Sequence, residues 1–233
     1  MAYIYEYIRT RGFEPIHFEE HYARLEALSQ RLFHAPLNTS PEELKGAIGD
    51  ILRKDGYSSH TINCVCIRYF DNGAFEFEAV EILYNTYSLR AIRPQGYICQ
   101  LSGDMLVSNT SAKEAMLELN RSTAQSTDAV VPIWIDEQNR LLAIDGAPIV
   151  AVFENEIRFS EVGESVEFNI AMQKMIAPRR KISQSAITLD DLSIVKELLY
   201  IDHRGITAFA GWKERHYTDI TAERIARAVA ETE

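Results

Sequence analysis

The sequence predicts a mixed α/β protein, of the α+β kind, built as two halves. Three observations carry that reading. The first hundred residues run from a β-branched and aromatic opening into segments of helical period, and then into alternating strand-formers. From about residue 109 the order changes to a helix, a succession of short strands cut by turn signals, and a closing helix. The 233 residues, 46% of them apolar, are enough to bury a full core, and no repeat, low-complexity tract or Gly/Ser linker interrupts them. The expected division is an N-terminal α+β domain over 1–108 and a C-terminal α/β domain, with strands and a closing helix, over 109–233.

Each element has a local cause. "AYIYEYIRTRGFEPIHF" combines β-branched and aromatic residues with an Arg-Gly break, the pattern of strand, turn and second strand. In "EEHYARLEALSQRLF" the apolar Tyr22, Leu25, Leu28, Leu32 and Phe33 recur at helical spacing with charges between them. "NTSPEELKGAIGDILRKDGY" opens on Ser40, Pro41 and a pair of glutamates, a strong helix start, and stops at Gly56. "HTINCVCIRYFDNGAFEFEAVEILYNTY" alternates around the "DNG" turn at residues 71–73, and "YSLRAIRPQGYICQL" stays extended. In the second half a helix over "SAKEAMLELNRSTAQ" precedes strands in "AVVPIWIDEQNRLLAIDGAPIVAVFENEIRFS", cut at "DEQNR", "DGAP" and "ENE". "SVEFNIAMQKMIA" has helical spacing, and "SQSAITLDDL" reads as a strand running into a capped turn. "KELLYIDHRGITAFAGW" reads as two strands, and "DITAERIARAVAETE" closes the chain as a helix.

Composition narrows the function. A formal charge of −10 and a pI near 5.2 disfavour nucleic acid or an anionic membrane as partner, since both require a positive face. The three cysteines, Cys64, Cys66 and Cys99, form no C-x-x-C pair and fit reduced thiols in a cytoplasmic protein. "MAYIYEYIRTRGF" has neither a basic leader nor an apolar signal core, and no apolar run approaches the ~20 residues that span a bilayer. The expectation is a soluble cytoplasmic protein with no membrane partner. No His/Cys/Asp spacing points to a metal site, and neither G-x-G-x-x-G nor G-x-S-x-G occurs.

The order of motifs along nearly the whole chain resembles the class IV aminotransferase fold family of pyridoxal-phosphate enzymes, which includes branched-chain and D-amino-acid aminotransferases and aminodeoxychorismate lyase. "YEYIRTRGFEPIHFEEHYARLEALSQRL" is similar to the family's opening, an E-x-x-R strand and a G-x-P turn leading to an H-x-x-R-L helix, through Glu6, Arg9, Gly12, Pro15, His21, Arg24 and Leu25. "PIWIDEQNRLLAIDGAPIVAVFENEI" is similar to its strand, acidic turn and N-I-F-x-V strand. "KELLYIDHRGITAF" is similar to its D-E-x-F segment ending in G-I-x-P-V. The resemblance implies a two-domain, D-amino-acid aminotransferase-like fold and pyridoxal 5′-phosphate between the domains. It also implies a small amino or keto acid as substrate, handled by transamination or by β-elimination, and a homodimer. The aromatic stretches "AYIYEYI" and "ILYNTYSL" are of the kind enriched at interface cores.

The resemblance also assigns residues. Arg24 corresponds to the arginine that holds the cofactor phosphate, a task suited to a guanidinium's fixed fork of donors; the plainer reading is a solvated helix arginine beside Glu20 and Glu26. Lys113 is the candidate for the amine that condenses with the cofactor aldehyde. Alignment on "PIWID" puts the family's lysine nearer Asn109 or Thr110. Moreover, Ser111 with Glu114 spells a capping box that would make Lys113 an ordinary first-turn residue. The family's ring-nitrogen glutamate falls on Ala143 and its following asparagine on Pro148; Asp145 would substitute only in a rebuilt turn, and a tight inter-strand turn explains "IDGAP" as well. "GESVEFNI" keeps Gly163 and Ser165 of the phosphate-binding helix start, while the hydroxyl position before G-I-x-P-V falls near Asp202. Gly205 and Thr207 in "HRGIT" are either a remnant of that phosphate cup or a strand turn. Arg68, Arg90 and Arg93 are candidates for a substrate carboxylate, with surface placement the simpler alternative. Asp202 and His203 are a candidate acid–base pair. A second functional reading stands beside the enzyme: a descendant of the fold that has lost its cofactor chemistry and binds a ligand or a protein.

Overall fold

The structure, a computed structural model, describes residues 1–82, 88–101, 108–123, 125, 130–160, 162, 165–175 and 180–231. Gly163 and the 83–87 part of "ILYNTYSL" lie outside the described residues. The chain forms two compact units, Met1–Ile82 with Ser108–Ser111, and Leu83–Val107 with Ala112–Glu233.

The first unit is an antiparallel sheet under two helices. Strands β1 (Tyr3–Arg11), β2 (Glu14–Pro15), β3 (Ile62–Phe70) and β4 (Phe75–Val80) stand in the order β2-β1-β3-β4. Helices α1 (Phe18–Leu32) and α2 (Pro41–Lys54) bury Phe18, Leu25, Leu28, Leu44, Ile48 and Leu52 against Ile4, Ile8, Val65 and Ile67 of the sheet. Full burial of such side chains contributes about 1.5–3 kcal/mol each, so this face dominates the unit's stability. The start of α2 is a complete capping box. Ser40 accepts from the Glu43 N–H, Glu43 accepts from the Ser40 N–H, and Pro41 opens the first turn.

The second unit stacks two sheets between helices. Strands β5 (Gln95–Gln100), β6 (Val130–Ile135) and β7 (Leu141–Ile144) make a three-stranded sheet, with β5 and β6 parallel. Strands β8 (Ile149–Val152), β9 (Glu156–Phe159), β10 (Lys181–Gln184), β11 (Glu197–Asp202) and β12 (Gly205–Ala208) make a five-stranded one, ordered β10-β9-β8-β11-β12. Ile133, Ile135, Leu141 and Ile144 pack with Ile149, Leu198, Tyr200 and Phe209 in a core joining the two sheets. The five-stranded sheet turns Val150, Leu199, Ile201, Ile206 and Ala208 toward Phe168 and Ala171 of α4 (Val166–Lys174) and Ile225 and Val229 of α5 (Ile220–Ala230). Helix α3 (Ser111–Thr123) packs Leu117 against Trp134, Leu142 and Ala143 of the three-stranded sheet. The mixed α/β class expected from the sequence is the class observed. One strand is displaced: the extended pairing near "SQSAITLDDL" is Lys181–Gln184, earlier than its pattern indicates, because β10 extends β9 in parallel and its register follows that neighbour.

At Gly12 the turn from β1 to β2 needs positive φ, +61°, and a Cβ there would stand 2.4 Å from the Ser59 carbonyl oxygen. Thr10 Oγ1 and Asn63 Nδ2 both donate to the Gly12 carbonyl, at 2.8 and 2.7 Å, which fixes the turn ahead of α1. Gly12→Ala is expected to lower stability by at least about 1–3 kcal/mol, read as a lower urea midpoint with an unchanged slope.

Candidate functional site

In the first unit the chemistry gathers on Glu6. Strand β1 buries this residue to 2% exposure, and α1 presents His21 and Arg24, three residues apart on one helix face, toward it. Glu6 Oε1 lies 3.0 Å from His21 Nδ1 and accepts from Arg24 Nη1 at 3.3 Å; Oε2 accepts from Asn109 Nδ2 at 3.4 Å. Asn109 is itself tied to β1, its carbonyl accepting from the Tyr5 N–H at 3.0 Å, and Thr110 bridges Ile4. Burial alone would push the Glu6 carboxyl up. Arg24, His21 and the Asn109 amide outweigh it and hold the group below its ordinary value. The Arg24 side chain is 14% exposed and turns to Glu6, which is not the solvated placement beside Glu20 and Glu26.

In the second unit the chemistry gathers on the turn between β7 and β8. Ile144 and Ala147 exchange both backbone hydrogen bonds, and Asp145 and Gly146 between them have φ of +51° and +80°, a two-residue turn of the I′ kind. The "IDGAP" stretch is therefore the tight turn its pattern allows, and it carries the chain from one sheet into the other. One stripe of α3, Lys113, Leu117 and Arg121, is seated on it. A Cβ at Gly146 would meet Leu117 Cδ1 at 3.0 Å and Lys113 Cε at 3.4 Å, so glycine is required both by φ and by the helix above it. Lys113 is 4% exposed and Asp145 4%.

Asp145 is held by guanidinium groups from both sides. Arg121 donates from Nε at 2.9 Å and from Nη2 at 2.6 Å, and Arg204 donates from Nη1. Arg204 also binds Asp202 through Nε, at 3.0 Å, and through Nη2, closing a ladder Arg121–Asp145–Arg204–Asp202. Desolvation would raise both carboxyls, but the arginines prevail and hold each well below the usual carboxylate range, while Arg204 is raised well above the ordinary guanidinium value. His203 sits beside Asp202 but is pushed down to about 3, chiefly by burial, so it is neutral at physiological pH. Asp202 accepts from Arg204 through both oxygens.

The remaining candidates separate. Thr207 pairs in register with Tyr200, and the two face the core between the sheets. Arg90 is 4% exposed; its N–H donates to the Ile206 carbonyl, and its Nη1 crosses β12 to the Tyr200 hydroxyl at 3.4 Å. Thr207 Oγ1 is buried and finds no hydrogen-bond partner among the described residues. Burial pushes the Tyr200 phenol up to about 12, so it keeps its proton. Ser165 caps α4, accepting from the Phe168 N–H at 3.0 Å, and that helix packs on the opposite face of the sheet from Thr207. Gly205, φ +99°, closes the β11–β12 turn opposite Asp202. Arg68 pairs with Glu78 at 2.7 Å on the first unit's sheet, and Arg93 clamps the carbonyls of Phe209 and Tyr217. Among the described residues no cluster of three His, Cys, Asp or Glu has the geometry of a metal site, and no helix is long and apolar enough to cross a membrane.

Glu6, Arg121, Tyr200 and Arg204 did not stand out in the sequence as site residues. Only Arg121 carries a local signal, its helical spacing from Lys113 and Leu117. Arg204 has one partner close by, Asp202, and one distant, Asp145, 59 residues away; the partners of Glu6 and Tyr200 are distant.

No family model and no curated protein matches the sequence. Solved structures match it over almost its whole length. The branched-chain aminotransferase of Thermoproteus uzoniensis is 14% identical with a TM-score of 0.75, covering 99% of this chain and 86% of that one. A hypothetical aminotransferase of Mycobacterium tuberculosis, 12% identical, has a TM-score of 0.77 over 99% of this chain and 90% of that one, and is also known with α-ketoglutarate and PMP bound. A Legionella pneumophila protein provisionally designated 4-amino-4-deoxychorismate lyase is 12% identical, with a TM-score of 0.74 over 99% and 91%. The likeness establishes the fold: this chain has the architecture of the class IV pyridoxal-phosphate aminotransferases.

Breaking the ladder has a defined cost and pH dependence. Asp145→Asn leaves Arg204 facing one carboxylate in place of two, and is expected to lower stability by about 3 kcal/mol at neutral pH in chemical denaturation. Because the folded pKa values of Asp145 and Asp202 lie below the unfolded value of about 3.9, their stabilisation is full above that pH and is lost as pH falls through the folded values. The wild type should therefore lose stability steeply below about pH 4, and Asp145→Asn less steeply over the same window.

Proposed function

We propose that the chain binds pyridoxal phosphate and acts on a small amino or keto acid, by transamination or by β-elimination of the aminodeoxychorismate-lyase type. The observation that carries this reading is the burial of Lys113 against the Asp145–Gly146 turn, in a chain with the class IV fold throughout. The amine that condenses with an aldehyde has to lie inside the site that holds the aldehyde. An ordinary first-turn lysine would stand in solvent.

The residues fit the cofactor in part. Lys113 supplies the amine. Arg24 is the donor suited to a phosphate; Ser165, whose hydroxyl donates to the Ile201 carbonyl at 3.2 Å, Gly205 and the 163 position are phosphate residues only by the assignment that the resemblance makes. Thr207, assigned by the same resemblance to the cofactor, stands with Tyr200 in the core; Arg90 is the candidate for a substrate carboxylate, and Arg68, held by Glu78, is the weaker one. When bound, pyridoxal phosphate supplies an aldehyde and an electron-withdrawing ring. The ring-nitrogen carboxylate is where the fit is poorest, since Ala143 occupies that position and Asp145 is engaged by two arginines. That observation favours a second reading, a descendant of the fold serving as a ligand- or protein-binding module. The two-domain division at 108/109, a homodimer and a cytoplasmic site of action belong to the same proposal.

Mixing with pyridoxal phosphate separates the two readings. An enzyme-type site gives a new visible absorbance band with wild type but not with Lys113→Ala, and borohydride treatment followed by peptide mapping labels the segment containing Lys113. An unchanged spectrum, or a band that survives Lys113→Ala, removes Lys113 from the mechanism. Of the aromatic stretches that favour a dimer, Tyr5 is buried within its own unit, so the interface is tested directly: sedimentation at micromolar concentration should give twice the chain mass of 26.5 kDa.

A further inference from the structure

The Glu6 cluster joins elements that are otherwise far apart in the chain. Its carboxylate comes from the middle of β1, its cation and imidazole from α1, and its amide from Asn109, 103 residues away and two residues ahead of Ser111, where α3 begins. The 108–110 segment is fastened to β1 by the Tyr5–Asn109 hydrogen bond and the Ile4–Thr110 bridge, and to α1 by a hydrogen bond from Arg31 to the Ser108 hydroxyl. A carboxylate 2% exposed and receiving from three side chains is a rigid node, because each donor restricts the rotamers open to the others. Its charge matters as well. Arginine has several rotatable bonds and loses about 2 kcal/mol of side-chain entropy when fixed, so an unpaired guanidinium at 14% exposure samples many directions and a paired one few.

We propose that Glu6 is a positioning residue: by holding the Arg24 guanidinium and the Asn109 amide to one carboxylate, it sets the orientation of the phosphate-binding cation. The proposal rests on the reading that Arg24 receives the cofactor phosphate. It makes a prediction of sign that neither a simple charge effect nor a simple packing effect shares. As a bare negative charge, Glu6 weakens Arg24's attraction for phosphate, and its removal would tighten binding. As a packing element only, its removal would weaken every ligand alike. As a positioning residue, its removal weakens the phosphate-bearing ligand selectively.

The measurement is the ratio of the dissociation constants of pyridoxal and pyridoxal phosphate, by calorimetry on the full-length protein. In the wild type pyridoxal phosphate should bind the more tightly. Glu6→Gln keeps the shape and removes the charge, and is expected to reduce that preference about tenfold while leaving pyridoxal affinity unchanged, the loss typical of one charge-assisted hydrogen bond. Glu6→Asp keeps the charge but withdraws the carboxylate by one methylene; it should give an intermediate ratio and serves as the test if Glu6→Gln does not fold. An unchanged ratio, a ratio that rises, or a parallel loss of both ligands overturns the proposal. A wild type that binds both ligands equally, or neither, instead removes the role of Arg24 on which the proposal rests, and is seen before any variant is made.

Discussion

The second unit depends on one turn. Asp145 and Gly146, both at positive φ, let the chain leave the three-stranded sheet and enter the five-stranded one within four residues, and the core between the sheets is built on either side of that step. Because Gly146 lacks a side chain, α3 can lie directly on the turn; because α3 lies there, Lys113 is out of solvent and Arg121 can reach Asp145. The backbone constraint, the burial of the amine and the first rung of the ion ladder are consequences of the same close approach. A side chain at that point would be strained by the positive φ and would press on the ends of Leu117 and Lys113.

Both units solve the problem of buried charge in the same way. An isolated carboxylate taken out of water costs several kcal/mol, and neither Glu6 nor Asp145 is isolated. Each is met by an arginine and by further donors, so its ionised form is the stable one. The difference lies in what each cluster leaves available. Around Glu6 the cation is partly exposed and bound through one nitrogen, so it retains donors for an anionic group. Around Asp145 the Arg204 fork is turned inward onto two carboxylates, while Arg121, 43% exposed, spends Nε and Nη2 on Asp145.

Most of the fold was legible in the sequence because its signals are local. The helix start at Ser40 and Pro41, the helical spacing of α1 and the Asp145–Gly146 turn each arise within a few residues, and each is present as expected. The site was legible in its residue types more than in its pairings. His21 and Arg24 share a motif, but nothing near them in sequence announces Asn109, and Asp145 is separated by 24 residues from one arginine and 59 from the other. Arg90 and Arg93 looked alike in "SLRAIRP", yet one is drawn across β12 to Tyr200 and the other to backbone carbonyls at the sheet's end. Which arginine meets which acceptor is decided by strand order and crossing, and those are properties of the whole chain.

The ladder of Arg121, Asp145, Arg204 and Asp202 also constrains how this molecule can change over evolutionary time. Replacing Arg204 leaves Asp145 and Asp202 without their shared cation in the interior, whereas replacing the set by well-packed apolar residues can be nearly neutral or even stabilising. The intermediates between those two states are the unstable ones. For Asp145 to serve another partner, both arginines would have to be released.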